Sequence, residues 1–103
     1  MRTWSQLQEV LQEIMGPNHK VYFQPPENIK LSYPCIVYER NDAMLRHADN
    51  FGYMKAKRYS VTLITKSADN DEFLDKILDL PMCSFEREFK SDGLVHDLFN
   101  IYF

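Results

Sequence analysis

Along the first fifteen positions, apolar residues recur at Trp4, Leu7, Leu11 and Ile14, with Val10 and Met15 beside them. Gaps of three and four predict an amphipathic helix over residues 3–15. Gln6, Gln8, Glu9, Gln12 and Glu13 fall on its polar side, Thr3 suits the N-cap, and Gly16-Pro17 stops it. The period then shortens to two. "KVYFQ" (20–24) reads as a short strand ended by Pro25-Pro26, which cannot donate to a ladder. "PPENIKLSYP" connects it to a second strand over 34–40, and Pro34 pushes Tyr33 into an extended conformation. In that strand Cys35 and Val37 point one way, Ile36 and Tyr38 the other; apolar residues on both sides imply a central strand or one covered on both faces. A third strand over 56–65 alternates Tyr59, Val61 and Leu63, the expected core set, with Ser60, Thr62 and Ile64. It pairs most simply with the second as an antiparallel hairpin.

Helical spacing returns at residues 67–81. Phe73, Leu74, Ile77 and Leu78 form the stripe, Pro81 ends it, and Asp69 with Glu72 fits a capping box. Asp71 and Glu72 in the first turn suit the helix dipole. Over 82–89, Cys83, Phe85, Arg87 and Phe89 alternate with Ser84, Glu86 and Glu88, predicting a strand with one wet face. "SDG" (91–93) is a tight-turn signal, and residues 94–103 make the last strand. The predicted order is α-β-β-β-α-β-β. The fold class is α+β: a largely antiparallel sheet of four to five strands with two helices packed on one face, in one domain over residues 1–103.

Between the second and third strands lies a polar arm, residues 42–54, longer than the usual two- to five-residue hairpin loop. Phe51 and Tyr53 are placed to continue the ladder, which makes an extended hairpin one reading and a mobile solvent-exposed tip another.

Composition narrows the function. Apolar residues make up 45% of the chain, enough for one core, and the 14% aromatic share is generous for so small an interior, so some rings are expected at an interface. A net charge of −3 argues against a dedicated phosphate-backbone binder. The local basic stretch Lys55, Lys57, Arg58 reads as the solvated face of a strand. No segment has the ~18–20 apolar residues of a membrane span, and the opening residues lack a signal-peptide pattern, the expectation for a cytoplasmic chain. Cys35 and Cys83 stand apart in strand-like runs and read as small buried hydrophobes.

Catalytic patterns are missing. His19, His47 and His96 have no metal-ligand spacing to one another or to a cysteine, so neither a metal nor another cofactor is expected. His96 and Asp97 are strand neighbours and point to opposite faces, which removes the simplest histidine–carboxylate pair. With only three glycines, phosphate-cradling loops are hard to build. These features point away from an enzyme and toward a chain that works by binding.

The opening helix, the words "VYFQPPENIKLSYPCIVYERND" and "RYSVTLITKSADNDEFLDKILDL", and the order of elements resemble the tail-terminator or tail-completion proteins of long-tailed bacteriophages and prophages. The likeness covers most of the chain, through short and mostly core-forming words. It implies a virion tail protein, assembled in the host cytoplasm, that forms a homo-oligomeric ring, commonly of six. The ring would cap the tail tube, end its polymerisation and present a surface to the head–tail connector, while DNA passes through without sequence-specific binding. The alternatives are a head-completion or connector protein and, further off, a small nucleic-acid-binding regulatory domain. On this reading Arg46, His47, Asp49, Asn50 and Tyr53 of the arm are the candidate partner contacts. A head-to-tail ring needs two different patches per subunit, for which the edge of the first helix and the terminal strand are the expected places.

Overall fold

In the computed structural model, residues 3–44, 57–66 and 71–103 are described. The elements are α1 (Trp4–Met15), β1 (Lys20–Phe23), β2 (Cys35–Met44), β3 (Lys57–Thr65), α2 (Asp71–Leu78), β4 (Cys83–Ser91) and β5 (Leu94–Tyr102). They follow the predicted order and form an α+β fold. The five strands make one sheet in the order β1-β2-β3-β5-β4. β1 runs parallel to β2, and every other pairing is antiparallel. The terminal strand β5 is therefore internal, lying between β3 and β4, and offers no free edge.

Register decides which side chains share a face. One row across the sheet is Phe23, Tyr38, Val61, Phe99 and Phe85; the next is Val21, Ile36, Leu63 and Asp97. Leu7, Leu11 and Met15 of α1 and Ile77 of α2 complete the buried cluster on this side. Tyr59, Val61 and Leu63 are fully buried, as their alternation predicts. The α2 stripe is narrower than expected. Phe73, Leu74 and Ile77 reach the core, but Leu78 is 44% exposed and Leu80, in the following turn, packs in its place. The expected cap, Asp69, lies outside the described residues.

At the start of α1, Thr3 is extended, and its N–H donates to Gln6 Oε1 at 2.9 Å. Gly16, at φ 84°, ends the helix. Gln8 and Gln12 depart from the polar-face expectation, since both are half-buried and stitch α1 to β1. Gln8 Nε2 donates to the Val21 carbonyl at 2.9 Å and Gln12 Nε2 to the His19 carbonyl at 2.6 Å. Helical residues four apart rise about 6 Å, and strand residues two apart about 6.6 Å, so the two amides match alternate carbonyls. Those carbonyls point away from β2, because Gln24, on the same alternation as Lys20 and Tyr22, donates its N–H to the Tyr38 carbonyl. Val21 thus has its outward acceptor satisfied on an edge strand.

β4 and β5 meet at Asp92-Gly93, with φ 54° and 76°, a two-residue turn of the type that follows the strand twist. A Cβ on Gly93 would meet nothing within 4 Å, so the backbone conformation alone sets the cost of adding one. Gly93→Ala is expected to destabilise by about 1–2 kcal/mol, read as a lower urea midpoint with unchanged slope.

Candidate functional site

The side of the sheet opposite the helices is built by the other half of each strand. Its rows are Lys20, Cys35, Ile64, His96 and Phe89, then Tyr22, Val37, Thr62, Leu98 and Arg87, then Glu39, Ser60, Asn100 and Ser84, and finally Arg58 beside Tyr102. The 24–34 loop approaches the β1 end of this face, where the Ser32 N–H lies 3.4 Å from Tyr22 Oη. Cys35 and Ile64 are buried here. Toward β5 and β4 the face opens, and Leu98, Asn100, Tyr102 and His96 are only half-buried.

A bulge in β4 determines what this open part carries. The register shifts between Phe85 and Arg87. Before it, Cys83 and Phe85 oppose Ile101 and Phe99 on the helix side; after it, Arg87 and Phe89 oppose Leu98 and His96 on the far side. The single alternating set expected over 83–89 is thus divided between two faces, and β4 beyond Cys83 is exposed throughout. Phe89 stacks on His96 with centroids 4.7 Å apart and planes 1° from parallel. The Arg87 guanidinium lies 5.3 Å from the Phe89 ring centre. Arg58 has its Nε buried with no hydrogen-bond partner among the described residues. This part of the sheet sets Leu98 and Phe89 beside Arg87, and Tyr102 beside Arg58, with the polar row Glu39, Ser60, Asn100 and Ser84 between them, in a chain of net charge −3.

The remaining sequence candidates separate. Arg46, His47, Asp49, Asn50, Tyr53 and Lys55 lie outside the described residues. Lys57 and Arg58 are strand neighbours and part to opposite faces, so they form no common basic stripe. His19 packs edge-on against Phe73, and His96 sits on the far face, away from buried Asp97. Cys35 and Cys83 are free thiols, each pushed up to about 11 by burial and therefore protonated and unreactive at neutral pH. Among the described residues no group of three or more His, Cys, Asp or Glu could hold a metal ion.

The helical side carries the opposite charge. α1 and α2 expose Glu9, Glu13, Asp71, Glu72 and Asp75 against one cation, Lys76, itself 3.6 Å from Glu72. Between the helices runs a groove lined by Val10, Ile14 and Leu80, with Glu13, Lys76 and Asp79 around it. A smaller apolar recess of about 170 Å³ lies beside it, lined by Leu7, Val10, Leu80, Pro81, Ile101 and Phe103. That is below the ~300 Å³ of ordinary small-molecule sites and suits at most one inserted side chain.

Alternation hid the Arg87–Phe89–His96 cluster from sequence reading, because it assigned Arg87 and Phe89 to the same side as Cys83 and Phe85. The available signal was Arg87 itself, a charge in a set otherwise apolar, which marks a break in register. Among the described residues no helix is long and apolar enough to cross a membrane. Comparison of the chain with protein-family models, with curated proteins and with solved structures finds no match.

Proposed function

We propose that the chain is a structural subunit of a long-tailed bacteriophage or prophage tail, a terminator-type protein that caps the tail tube as a ring and presents the surface that joins the head. The observation that carries this reading is the two-sided sheet: helices close one face, and the other leaves Phe89, Leu98, Tyr102, Arg58 and Arg87 set for contact. Aromatic residues and arginine are the types enriched at protein interfaces. The sequence resemblance supplies the kind of assembly. Function here is differential binding, in which subunits prefer the tube end, or one another upon it, to free solution.

Light scattering and negative-stain imaging of the protein, alone and with tail tubes, test the proposal. Rings at tube ends are expected. A protein that stays monomeric at high concentration and also ignores tubes would end this reading. Loss of the gene separates the two virion roles, since overlong tails indicate termination and filled, tailless heads indicate head completion.

The arm supplies a further expectation. Replacing Arg46 and His47 with alanine should change stability by no more than about 0.5 kcal/mol, as surface substitutions generally do, while weakening assembly on tubes. A large fall in melting temperature with normal assembly would place these residues in the folded body instead.

A further inference from the structure

We infer that the open sheet face of one copy docks onto the acidic, two-helix face of the next, with the Phe89 cluster entering the groove between α1 and α2. This rests on the ring reading and assigns its interface. Two features carry it. The open face carries more positive than negative charge in an acidic chain: Lys20, Arg58 and Arg87 stand against Glu39, with Leu98 and the Phe89–His96 stack beside Arg87 and Tyr102 beside Arg58. The helical face is complementary on balance, an apolar floor of Val10, Ile14 and Leu80 beside exposed Glu13 and Asp79, with Lys76 the one cation at the groove among the described residues.

A single-stranded nucleic acid is the other occupant suggested by rings and arginines on a sheet. The observations favour protein, because Phe89 is already covered by His96 and approached by Arg87, which competes with base stacking. The two faces are different surfaces of one subunit, so the contact is heterologous. Repeated copies close into a ring or continue as a filament according to the angle between them. The acidic face of one copy also repels the acidic face of another, which disfavours symmetric helix-to-helix dimers.

Charge-swap variants test this. Arg58→Glu with Arg87→Glu makes the sheet face acidic; Glu13→Lys with Asp79→Lys makes the helical face basic. Arg87→Glu alone serves if the double sheet variant fails to fold, and circular dichroism checks each protein. Sedimentation velocity at low salt reads association. Each variant alone should need at least about 100-fold higher concentration than the unmodified chain to assemble, because like charges then face each other. Mixing the two variants in equal amounts should restore assembly, since both new pairings are complementary. Raising salt from about 0.05 to about 0.5 M should weaken the unmodified assembly.

Unchanged assembly by either folded variant would overturn the interface while leaving the ring reading intact, as would a mixture of folded variants that stays apart. Normal self-association of the sheet variant with lost tube binding would assign the face to the tube protein and overturn the inference equally. Salt-sensitive binding of a single-stranded oligonucleotide to the unmodified protein, abolished by Arg87→Glu, would assign the face to nucleic acid. A wild-type chain that remains monomeric at every concentration and on tubes would remove both readings together.

Discussion

Tyr38→Ala is expected to remove a large part of the chain's stability. Tyr38 is fully buried at the centre of the helix-side face, with the Phe23 ring 4.9 Å and the Tyr59 ring 6.1 Å away. Its hydroxyl lies 2.8 Å from Gln8 Oε1 and 3.0 Å from the Trp4 carbonyl, so one proton is shared between two acceptors on α1. The same side chain therefore fills the core and ties the first helix to β2. Truncating a buried aromatic ring costs about 3–5 kcal/mol, against a total stability of about 5–15 kcal/mol for a domain. Each kcal/mol lowers the melting temperature by about 4–8 °C in a domain of this size, so a fall of at least about 12 °C is expected. Tyr38→Phe separates the two contributions. It keeps the ring and leaves both acceptors without this donor, at about 1–3 kcal/mol. Thermal melts of the two variants decide the matter, and a Tyr38→Ala protein melting within a few degrees of the parent would show that the helix–sheet contact does not depend on this residue.

Alkaline unfolding is the second large effect. Burial raises the Cys35 and Cys83 thiols from near 9 to about 11. It raises the Tyr38 and Tyr59 phenols as well, with the neighbouring Tyr59 adding to the shift at Tyr38 and Arg40 opposing it at Tyr59. The unfolded chain therefore releases these protons at lower pH than the folded one. Stability is full below about pH 9 and falls as pH rises toward 11 and beyond, because there the unfolded state binds fewer protons. A group ionised only in the unfolded state removes about 1.4 kcal/mol per pH unit. Cys35, with no exposed surface, thus withdraws about 3 kcal/mol across its window, and the less buried Cys83 withdraws less. Denaturant melts at stepped pH should show this decline beginning near pH 9. In a Cys35→Ala, Cys83→Ala double variant the slope between pH 9 and 10 should fall by more than half, whatever the cost of the substitutions themselves, and the remainder belongs to Tyr38 and Tyr59. A stability that is flat to pH 11 in the parent would contradict the burial of these groups.

Much of this fold was legible because local patterns and tertiary packing agree. Leu7 and Leu11 recur at the helical period, and Tyr59, Val61 and Leu63 at the strand period; both sets are buried as those periods require. Apolar residues on both sides of Cys35–Tyr38 correctly marked β2 as a strand with neighbours on either side. The misreadings arise where a side chain serves a long-range contact. Gln8 and Gln12 look like solvent-facing helix residues, and only the approach of β1 gives their amides carbonyls to meet. The terminal position of β5 suggests an edge strand, yet pairing with β3 places it inside the sheet. Strict alternation places Phe89 with Cys83 and Phe85, and the bulge between Phe85 and Arg87 reverses the answer. The arm residues Arg46, His47, Asp49, Asn50 and Tyr53 lie outside the described residues, whereas the open-face cluster arises from strands that pair across the chain and cannot be seen in any single segment.

The glutamine stitch has a consequence for how copies of the chain can meet. With the outward carbonyls of His19 and Val21 engaged by α1, the β1 border is covered at those two positions. The β4 border is the other edge of the sheet, and its kink and the charges of Glu86, Glu88 and Lys90 discourage a foreign strand there. Should two copies nevertheless zip together there, each outer end of the joined sheet would be a β1 strand with two of its outward carbonyls already taken. That route therefore favours a dimer over a fibre.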